Sequence, residues 1–282
     1  MVKAIALISG GLDSILAAKI MKENGIDIIG INFILPFQKY KKINVDGIEI
    51  KEIKIGIDYI DIIRHPKYGY GSGINPCIDC KIFLLKKAKE LMKKYSAQFI
   101  ITGDVLGQRP MSQNLHAMKI IEKESGLEGF ILRPLTAKNL SITIPEKNGL
   151  VDREKMYDIK GRSRRRQIEL AKKYKIENYQ QPAGGCRLTE KEFSKKLRAR
   201  LNMENIIGNI DFNDIKLLSI GRHFFGKSWI IVGRNELENK KLVELSKSTD
   251  LIIEPDFPGP TVLIRGENKE IQKALNLIWR YS

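Results

Sequence analysis

The feature that most constrains the fold is the alternation of short apolar runs with helical patterns along the first half of the chain. Residues 4–8 (AIALI) have the character of a buried strand, and apolar side chains then recur at helical spacing over residues 12–20 until Gly25 ends the helix. Strands that alternate with helices in this way give a mainly parallel sheet flanked by helices, with binding loops at the carboxyl ends of the strands. Further strands are predicted at residues 28–33, 48–56 and 98–102, with a helix at residues 85–95 before the last of them.

The second half of the chain changes character. Residues 152–175 are strongly basic and have a helical pattern, and the proline and glycines of YQQPAGGC (179–186) should interrupt regular structure and end a domain. A helix is predicted at residues 189–203. The runs IKLLSIG, SWIIVGRN, DLIIEP and TVLIRG then indicate strands, and a last helix is predicted at 267–279. The sequence therefore predicts an α/β domain over residues 1–186, a connecting helix within 187–205, and a smaller α+β domain over 206–282.

The turn between the first strand and the first helix has the sequence SGGLDS. Its glycines allow the backbone to approach a ligand closely, and the amides at the start of the helix favour an anion. An ordinary capped turn is the alternative reading of a bare Gly-Gly pair. The complete hexad resembles the signature of the PP-loop ATP pyrophosphatases, which have the adenine nucleotide alpha hydrolase-like fold and transfer AMP to a substrate. That resemblance implies that ATP is held by Ser9, Gly10, Gly11, Leu12, Asp13 and Ser14, with Asp13 as a catalytic residue that orients phosphate or Mg²⁺.

Other segments resemble the branch of this superfamily that transfers sulfur to tRNA, the 4-thiouridine synthases in particular. TGDVLGQRPMSQN (102–114) and LRPL (132–135) are similar to their catalytic domain, and NPCIDC (75–80) is similar to a segment of the 2-thiouridylases. The tRNA-binding domain that commonly precedes their catalytic domain is not expected here, because SGGLDS starts at residue 9. The resemblance implies a nucleotide site that also includes Phe33 near the adenine, Gly103 and Asp104 near the ribose or phosphates, and Gln108.

A second phosphate-loop pattern is a decoy. Gly221–Ser228 (GRHFFGKS) satisfies GxxxxGK[ST], but that motif binds phosphate only where a helix opens at the Lys-Ser pair. The run that follows, WIIVG, is typical of a strand. The sequence therefore predicts two strands joined by a basic loop.

The charge balance favours a polyanionic partner. The chain has 49 Lys and Arg against 33 Asp and Glu, a formal net charge of +16, and such a surface attracts nucleic acid. The run GRSRRRQ (161–167) is either a solvated helix face or a set of phosphate contacts, and we favour RNA. Residues 229–266 resemble the NFACT-R domain, the RNA-associated module of ribosome quality-control proteins; Phe224, Phe225 and Trp229 are expected in its core. The candidate RNA-binding residues are Arg162, Arg164, Arg165 and Arg166.

Cysteine is scarce, with only Cys77, Cys80 and Cys186 in the chain. Because no apolar run is long enough for a signal peptide or a membrane span, we expect a cytoplasmic protein in which a disulfide framework is disfavoured. Three uses remain: a [4Fe-4S] cluster held by three thiolates, a persulfide resolved by a second cysteine, or a zinc ion with His65, His116 or His223 as a fourth ligand. A CxxC pair plus one distant cysteine resembles the iron-sulfur-dependent PP-loop thiolases, and we favour the cluster.

The hypothesis from the sequence is an ATP-dependent tRNA sulfurtransferase that makes 4-thiouridine. Its expected cofactors are ATP, Mg²⁺ and a [4Fe-4S] cluster. Its expected partners are tRNA, a sulfur donor (sulfide, a cysteine desulfurase or a carrier) and a second copy in a homodimer. The alternatives are a 2-thiouridylase that uses a persulfide, and a ribosome-associated RNA-binding protein with a non-catalytic nucleotide site.

Overall fold

The computed structural model describes residues 1–38, 42–180 and 186–282. These residues divide into two units: unit 1 comprises residues 1–71 and 76–186, and unit 2 comprises residues 72–75 and 187–282. Most of YQQPAGGC, where the sequence predicts a break in regular structure, lies outside the described residues. None of the helices in the described ranges is both long enough and apolar enough to span a lipid bilayer.

Unit 1 alternates strands and helices as its sequence predicts. Its strands are β1 (Lys3–Leu7), β2 (Asp27–Ile34), β3 (Glu49–Lys54), β4 (Phe99–Ile101) and β5 (Ile131–Leu132). Its helices are α1 (Leu12–Glu23), α2 (Tyr59–Arg64), α3 (Cys77–Lys94), α4 (Leu115–Ser125), α5 (Ile144–Lys147) and α6 (Arg165–Lys173). The apolar pattern did not predict the helices α2, α4 and α5 or the short strand β5, and α3 begins eight residues before the helix predicted at 85–95.

Within the described part of unit 1 the five strands form one parallel sheet in the order β3-β2-β1-β4-β5. Strand β1 is central, and Ala4, Ile5 and Ala6 are almost completely buried, as expected for a strand covered on both faces by helices. The strand order reverses beside β1, because β2 and β3 lie on one side and β4 and β5 on the other. In sheets of this kind ligands bind at the carboxyl ends of the strands at this reversal, and the predicted fold class is confirmed.

The basic segment 152–175 is less helical than predicted. Only Arg165–Lys173 forms an α-helix, and Arg153–Lys155 forms a single 3₁₀ turn. Between them the backbone is held extended, since the amide of Tyr157 donates to the Pro134 carbonyl at 2.8 Å and the amide of Ile159 donates to the Leu135 carbonyl at 2.9 Å. A helix cannot form where backbone amides are used by a neighbouring segment, so tertiary pairing overrides the local pattern.

Unit 2 is an antiparallel α+β module. Its helices are α7 (Lys191–Leu201), α8 (Glu204–Ile207), α9 (Phe212–Leu217), α10 (Glu236–Glu244) and α11 (Ile271–Tyr281). Its strands are β6 (Arg222–Phe225), β7 (Trp229–Val232), β8 (Leu251–Ile253) and β9 (Val262–Arg265), and the described strands pair in the order β6-β7-β9-β8. The apolar face of α11 packs on β7 and β9 through Ala274, Leu277 and Ile278. The small α+β fold predicted for this region is confirmed.

One predicted strand of unit 2 is a helix instead. Most of the run IKLLSIG (215–221) continues α9 or follows directly from it. The side chain of Asp211 accepts a hydrogen bond from the Asp214 amide at 2.8 Å, and Asp214 reciprocates at the Asp211 amide. This reciprocal cap fixes the start of a helix that the apolar run alone did not indicate.

The decoy phosphate motif has the structure that its flanking sequence predicts. Strands β6 and β7 pair antiparallel, and Gly226–Ser228 lies in the loop that joins them. The amide and hydroxyl of Ser228 both donate to the Glu270 carboxylate, at 2.8 and 2.7 Å. No helix opens at Lys227 and Ser228, and a carboxylate stands where the motif would place a phosphate.

Candidate active site

Two loops of unit 1 meet at the point where the strand order of the sheet reverses. The SGGLDS loop (Ser9–Ser14) leads from β1 towards and into α1, and residues 102–104 follow β4. A Cβ atom built on Gly103 would lie 2.4 Å from the Ser14 nitrogen and 2.5 Å from the Asp13 carbonyl carbon. Only glycine allows this approach. The structure thus brings Ser9–Ser14 and Gly103 together as one site, while Phe33 is buried in β2.

The SGGLDS loop has the geometry of an anion cradle. Gly10 adopts a left-handed conformation with φ of 82°, and Gly11 is extended at the N-cap of α1, where no side chain caps the helix. The Ser14 hydroxyl donates to the Gly11 carbonyl at 2.8 Å and accepts from the Ser9 amide at 3.2 Å. An uncapped helix start presents backbone amides and the positive end of the helix dipole, and both attract a phosphate.

A residue far along the chain closes over this loop. The Gln180 amide donates to the Gly10 carbonyl at 2.9 Å, and the segment forms a parallel bridge with Gly11. A Cβ atom on Gly10 would lie 2.8 Å from the Gln180 side-chain nitrogen. No local pattern in the sequence indicates this contact, because it joins segments at opposite ends of unit 1.

Asp13 stands at the centre of a polar network. The Gln108 side chain donates to its Oδ2 at 2.7 Å, and the buried Gln167 donates to the Gln108 Oε1 at 3.0 Å. The Arg164 guanidinium lies 3.6 Å from the Asp13 Oδ1. Among the described residues, Asp13 Oδ1, Arg164 Nε and Gln167 Oε1 are buried without a hydrogen-bond partner. The site therefore contains polar atoms that a bound ligand could satisfy.

The four arginines predicted to bind RNA fall into two groups. Arg164 is turned to Asp13, whereas Arg162 is exposed, Arg165 pairs with Glu169 at 3.2 Å and Arg166 pairs with Asp158 at 2.6 Å. The Arg165 and Arg166 side chains are 88% and 51% exposed, against 17% for Arg164. Arg162, Arg165 and Arg166 are therefore accessible to an external polyanion, whereas Arg164 faces the SGGLDS loop.

The Asp104 carboxylate is already surrounded by positively charged side chains of the protein. The Lys81 ammonium lies 2.5 Å from its Oδ1, the Gln113 side chain donates to the same oxygen at 2.8 Å, and the Arg133 Nε lies 3.9 Å from Oδ2. Although burial acts to raise the pKa of Asp104, the charges of Lys81 and Arg133 lower it to about 2. Asp104 is therefore a carboxylate that fixes Lys81 and Arg133 beside Gly103.

The cysteines of unit 1 gather around a buried tyrosine. Cys77 and Cys80 lie in the first turn of α3, and Cys186 pairs with Gln38 in an isolated bridge. Burial raises the pKa of the Cys80 thiol to about 12; a hydrogen bond from the Tyr59 hydroxyl opposes this shift, and the neighbouring Cys186 and Cys77 add to it. Burial and the same three cysteines raise the pKa of Tyr59. All three cysteines are in the described residues, and none of them forms a disulfide. Sequence reasoning missed Tyr59.

Iron-sulfur clusters are held by cysteine thiolates, and this chain offers three of them in Cys77, Cys80 and Cys186. Within residues 1–38, 42–180 and 186–282, however, no three His, Cys, Asp or Glu side chains stand at metal-binding spacing. His223 is engaged inside unit 2, where it accepts a hydrogen bond from the Trp229 indole at 3.1 Å, and burial lowers its pKa to about 3. The three thiols thus lie near Tyr59, but within the described residues they do not form a group of three metal ligands, either by themselves or with an imidazole.

The aromatic residues of unit 2 divide between core and surface. Trp229 is fully buried, and Phe224 and Phe225 are half-buried, in agreement with the core role predicted for them. Trp279 is the most exposed of the aromatic residues described in unit 2: it is 71% accessible and stacks on Phe257 with ring centroids 5.0 Å apart. From the sequence, residue 279 is predicted only as the end of a helix, because its exposure depends on which face of α11 packs on the sheet.

Two family models match separate parts of the chain. The model described as "NFACT protein RNA binding domain" matches residues 221–282, which agrees with the resemblance seen in the sequence. The model described as "Thiamine biosynthesis protein (ThiI)" matches residues 1–144, just over half of the chain.

The curated relatives each match less than half of the chain. A "Probable tRNA sulfurtransferase" of Thermococcus kodakarensis is 30% identical over 142 residues, which cover 47% of this chain and 36% of the relative. One of Methanocaldococcus jannaschii with the same name is 29% identical, with the same two coverages. A "tRNA-specific 2-thiouridylase MnmA 2" of Fusobacterium nucleatum is 31% identical over 36% of this chain and 34% of the relative. The chain thus spans just over a third of the length of these relatives.

Among solved structures, a predicted subunit of a tRNA methyltransferase from Methanocaldococcus jannaschii aligns with 53% of this chain and 75% of its own. The identity is 18% and the TM-score is 0.33. The family assignment does not depend on this alignment, because it rests on the extent of the first family model together with the SGGLDS loop at the reversal of the sheet. This chain belongs to the ThiI family.

Proposed function

We propose that this chain is an ATP-dependent tRNA sulfurtransferase, which activates a uridine carbonyl oxygen with ATP and replaces that oxygen with sulfur. One observation carries the proposal: the cysteine turn is tied to the SGGLDS loop. Lys81, the residue after Cys80, is paired with Asp104, and the adjacent Gly103 packs on Asp13 and Ser14. A sulfur site and a phosphate site on neighbouring elements of one unit are what this reaction requires.

The first half of the reaction needs a site for a triphosphate. The uridine oxygen attacks the α-phosphorus, a new oxygen–phosphorus bond forms, and the bond to the β-phosphate breaks so that pyrophosphate leaves with the electron pair. The amides at the start of α1 and the hydroxyls of Ser9 and Ser14 would hold the departing pyrophosphate. Asp13 would orient Mg²⁺, which neutralises phosphate charge when bound. Phe33 and Gln108 would line the nucleotide pocket.

The second half needs a sulfur nucleophile: a carbon–sulfur bond forms at the activated carbon, and the carbon–oxygen bond breaks so that AMP leaves with the former carbonyl oxygen and the electron pair. The Cys80 thiol, whose pKa burial raises to about 12, is a poor nucleophile for persulfide chemistry, whereas a thiol that binds a metal loses its proton on binding. We therefore favour a [4Fe-4S] cluster held by Cys77, Cys80 and Cys186. Because three thiolates leave one iron without a protein ligand, such a cluster supplies a place for sulfide to attach. We propose 4-thiouridine as the product, with 2-thiouridine made through a persulfide as the second candidate.

The RNA would be held by charge outside the site. The net charge of +16 and the match of residues 221–282 to an RNA-binding domain support tRNA as the partner. The exposed Arg162, Arg165 and Arg166 are suited to phosphate contacts. A sulfide source or a sulfur carrier completes the set of partners, and we place the reaction in the cytoplasm, where tRNA is modified.

The decisive measurement is nucleoside mass spectrometry of tRNA from a strain that lacks this gene. We expect one thionucleoside to be missing and to return when the wild-type chain is supplied. Cys186→Ser should not restore it, although the purified variant should still release pyrophosphate from ATP in the presence of tRNA. Anaerobically purified wild-type protein should show the visible absorption of an iron-sulfur cluster and contain iron and labile sulfide.

Three outcomes would count against the proposal. Unchanged thionucleosides in the deletion strain, with RNA binding retained, would favour an RNA-binding protein with a non-catalytic nucleotide site. A colourless protein with one tightly bound zinc ion would exclude the cluster. Restoration of the thionucleoside by Cys186→Ser would remove that cysteine from sulfur transfer.

A further inference from the structure

One arginine of the basic run GRSRRRQ leaves the surface and enters the candidate active site. The Arg164 guanidinium lies 3.6 Å from the Asp13 Oδ1, and each of the two side chains is only 17% exposed. Its neighbours Arg165 and Arg166 form ion pairs on the surface with Glu169 and Asp158. The run therefore does not act as one charged face.

The position of Arg164 is fixed from both sides. It is the N-cap residue of α6, and its carbonyl accepts the Ile168 amide at 3.0 Å. Gln167, in the first turn of the same helix, is fully buried and donates to Gln108, which in turn donates to Asp13. The start of α6 is thus bonded to the SGGLDS loop through a chain of side chains, and Arg164 is held at the loop by a rigid element.

The guanidinium still has hydrogen-bonding capacity to offer. In the described structure Arg164 Nε is buried with no hydrogen-bond partner, as is the Asp13 Oδ1 that faces it. A buried charged group left unsatisfied costs more than a neutral one, and the 3.6 Å separation is longer than a charge-assisted hydrogen bond of about 2.8 Å. Donors of this kind, beside an uncapped helix start, are placed to receive an anion.

We propose that Arg164 binds the polyphosphate of ATP and stabilises the pyrophosphate that leaves in the adenylation step, which rests on the function proposed above. When the bond between the α- and β-phosphates breaks, negative charge grows on the pyrophosphate oxygens, and a forked guanidinium stabilises it. The ion pair with Asp13 holds Arg164 at the loop before ATP arrives. With the guanidinium bound to the phosphates, the Asp13 carboxylate would be free to hold Mg²⁺, which would neutralise phosphate charge.

The competing explanation is that the whole run contacts RNA. In that case the three arginines, Arg164, Arg165 and Arg166, should contribute equally to tRNA affinity. Replacing any of them should leave the affinity for ATP unchanged. The two explanations predict opposite patterns for ATP and for tRNA, and the pattern can be measured on the purified full chain.

The experiment compares Arg164→Ala and Arg164→Lys with Lys172→Ala, which removes an exposed positive charge from the same helix. Calorimetry with Mg²⁺ measures the affinities for ATP and for AMP, and pyrophosphate release is measured with tRNA. We expect Arg164→Ala to weaken ATP binding by roughly 10- to 100-fold and to slow pyrophosphate release by about 100- to 1,000-fold. Binding of AMP, which lacks the β- and γ-phosphates, should change little. Arg164→Lys should restore part of the affinity because it keeps the charge without the fork.

Two control results complete the test. Lys172→Ala should bind ATP as the wild type does, and Arg165→Ala and Arg166→Ala should weaken tRNA binding while their affinity for ATP stays unchanged. Equal ATP affinity in wild type and Arg164→Ala would overturn the inference while the proposed function stands. An equal loss of ATP and AMP affinity would instead indicate a structural role. If the alanine variant does not fold, Arg164→Lys carries the same test, since an ATP affinity and rate equal to wild type would argue against a forked phosphate contact. A wild-type chain that binds no ATP would overturn both the inference and the adenylation chemistry.

Discussion

The two units contain buried charge networks that are built in opposite ways. In unit 2, Asp214 is completely buried, and its carboxylate binds Arg200 at 2.5 Å and also binds Arg265. In unit 1, Asp13 faces Arg164 at 3.6 Å, and atoms on both side chains have no hydrogen-bond partner. The Asp214 carboxylate is saturated by protein donors, whereas the Asp13 carboxylate is not.

The saturated network of unit 2 also clamps its core. Arg265 makes a second ion pair with Asp250 at 2.6 Å, so one arginine bridges two buried carboxylates. The guanidinium carbons of Arg200 and Arg265 lie 5.7 and 5.8 Å from the centre of the Trp229 ring. Arg200 Nε and Nη1 are also buried without a hydrogen-bond partner, so the two networks differ in their carboxylates: both Asp214 oxygens accept hydrogen bonds, whereas Asp13 Oδ1 accepts none. A network whose carboxylates are satisfied is suited to specify one packing, whereas an open carboxylate beside a phosphate loop is suited to bind a ligand. The comparison indicates that the Asp214 network stabilises the fold of unit 2, whereas the Asp13–Arg164 pair retains atoms that can bind a ligand.

The largest expected effect comes from breaking the saturated network. Asp214→Ala would leave Arg200 and Arg265 buried without their shared partner, and loss of one member of a buried ion pair costs about 3–5 kcal/mol. Both tryptophans of the chain, Trp229 and Trp279, lie in unit 2. Tryptophan fluorescence during urea unfolding therefore reports on unit 2, and ATP binding reports on unit 1.

The matched control for this variant is Glu236→Ala, which removes an exposed helix pair with Lys240. Pairs of this kind contribute only about 0.3–0.5 kcal/mol. A stability loss in Asp214→Ala no larger than in the control would show that the buried network does not hold unit 2 together. If Asp214→Ala lost ATP affinity at temperatures where unit 2 is still folded, the Asp214 network would affect unit 1 as well, and its role would not be confined to the stability of unit 2.

The second effect comes from the unsaturated network and should appear in activity. Asp13→Asn keeps the shape of the side chain but removes its charge, and we expect pyrophosphate release to fall by about 100-fold, which corresponds to about 2.7 kcal/mol of barrier. The free energy of unfolding should change by less than about 1 kcal/mol, because binding sites are commonly not optimised for stability. Asp152→Asn, on the surface of the same unit, is the control for both measurements. A stability loss as large as that of Asp214→Ala would erase the contrast between the two networks.

The smallest expected effect is a pH dependence in unit 1. The pKa of Asp104 is lowered to about 2 in the folded chain, below the ordinary value of about 3.9. Its ion pairs therefore add stability above pH of about 4, and that contribution, roughly 2 kcal/mol, is lost as the pH falls from about 4 to 2. Far-UV circular dichroism during urea unfolding at a series of pH values measures it.

The variant Asp104→Asn should be less stable than wild type at pH 7 and should lose less stability between pH of about 4 and 2. Asp46→Asn, which changes a fully exposed side chain, should follow the wild-type acid profile. Identical acid profiles for wild type and Asp104→Asn would mean that the cations around Asp104 do not stabilise its charge.

Local patterns in the sequence were enough for the parallel sheet and for the SGGLDS loop. Strand β1 and helix α1 are defined by apolar spacing within a few residues, and the hairpin at Gly226–Ser228 is defined by the strand-like run after it. These features depend on short-range preferences that a single segment contains. The cysteine pair was identified as a CxxC motif, but its position in the first turn of α3 was not predicted, because the predicted helix began at residue 85.

Long-range contacts escaped the same reasoning. The basic segment 152–175 looked like one helix, but amides of Tyr157 and Ile159 are taken by Pro134 and Leu135. The pairing of Arg164 with Asp13 and the hydrogen bond between Tyr59 and Cys80 join residues that no motif connects. Such contacts are decided by how elements pack, so composition identified the arginines but could not tell which of them leaves the surface.

The contact of Gln180 with Gly10 also limits how far Cys186 can lie from the SGGLDS loop. Gln180 is fastened at the SGGLDS loop, and Cys186 is fastened beside Gln38. Six peptide steps separate the two residues, and an extended chain spans at most about 3.6 Å per residue, or roughly 22 Å. Cys186 therefore lies within roughly 22 Å of Gln180, which contacts the SGGLDS loop. Inserting residues between Gln180 and Cys186 would loosen this limit without changing any side chain that is proposed to bind phosphate or sulfur.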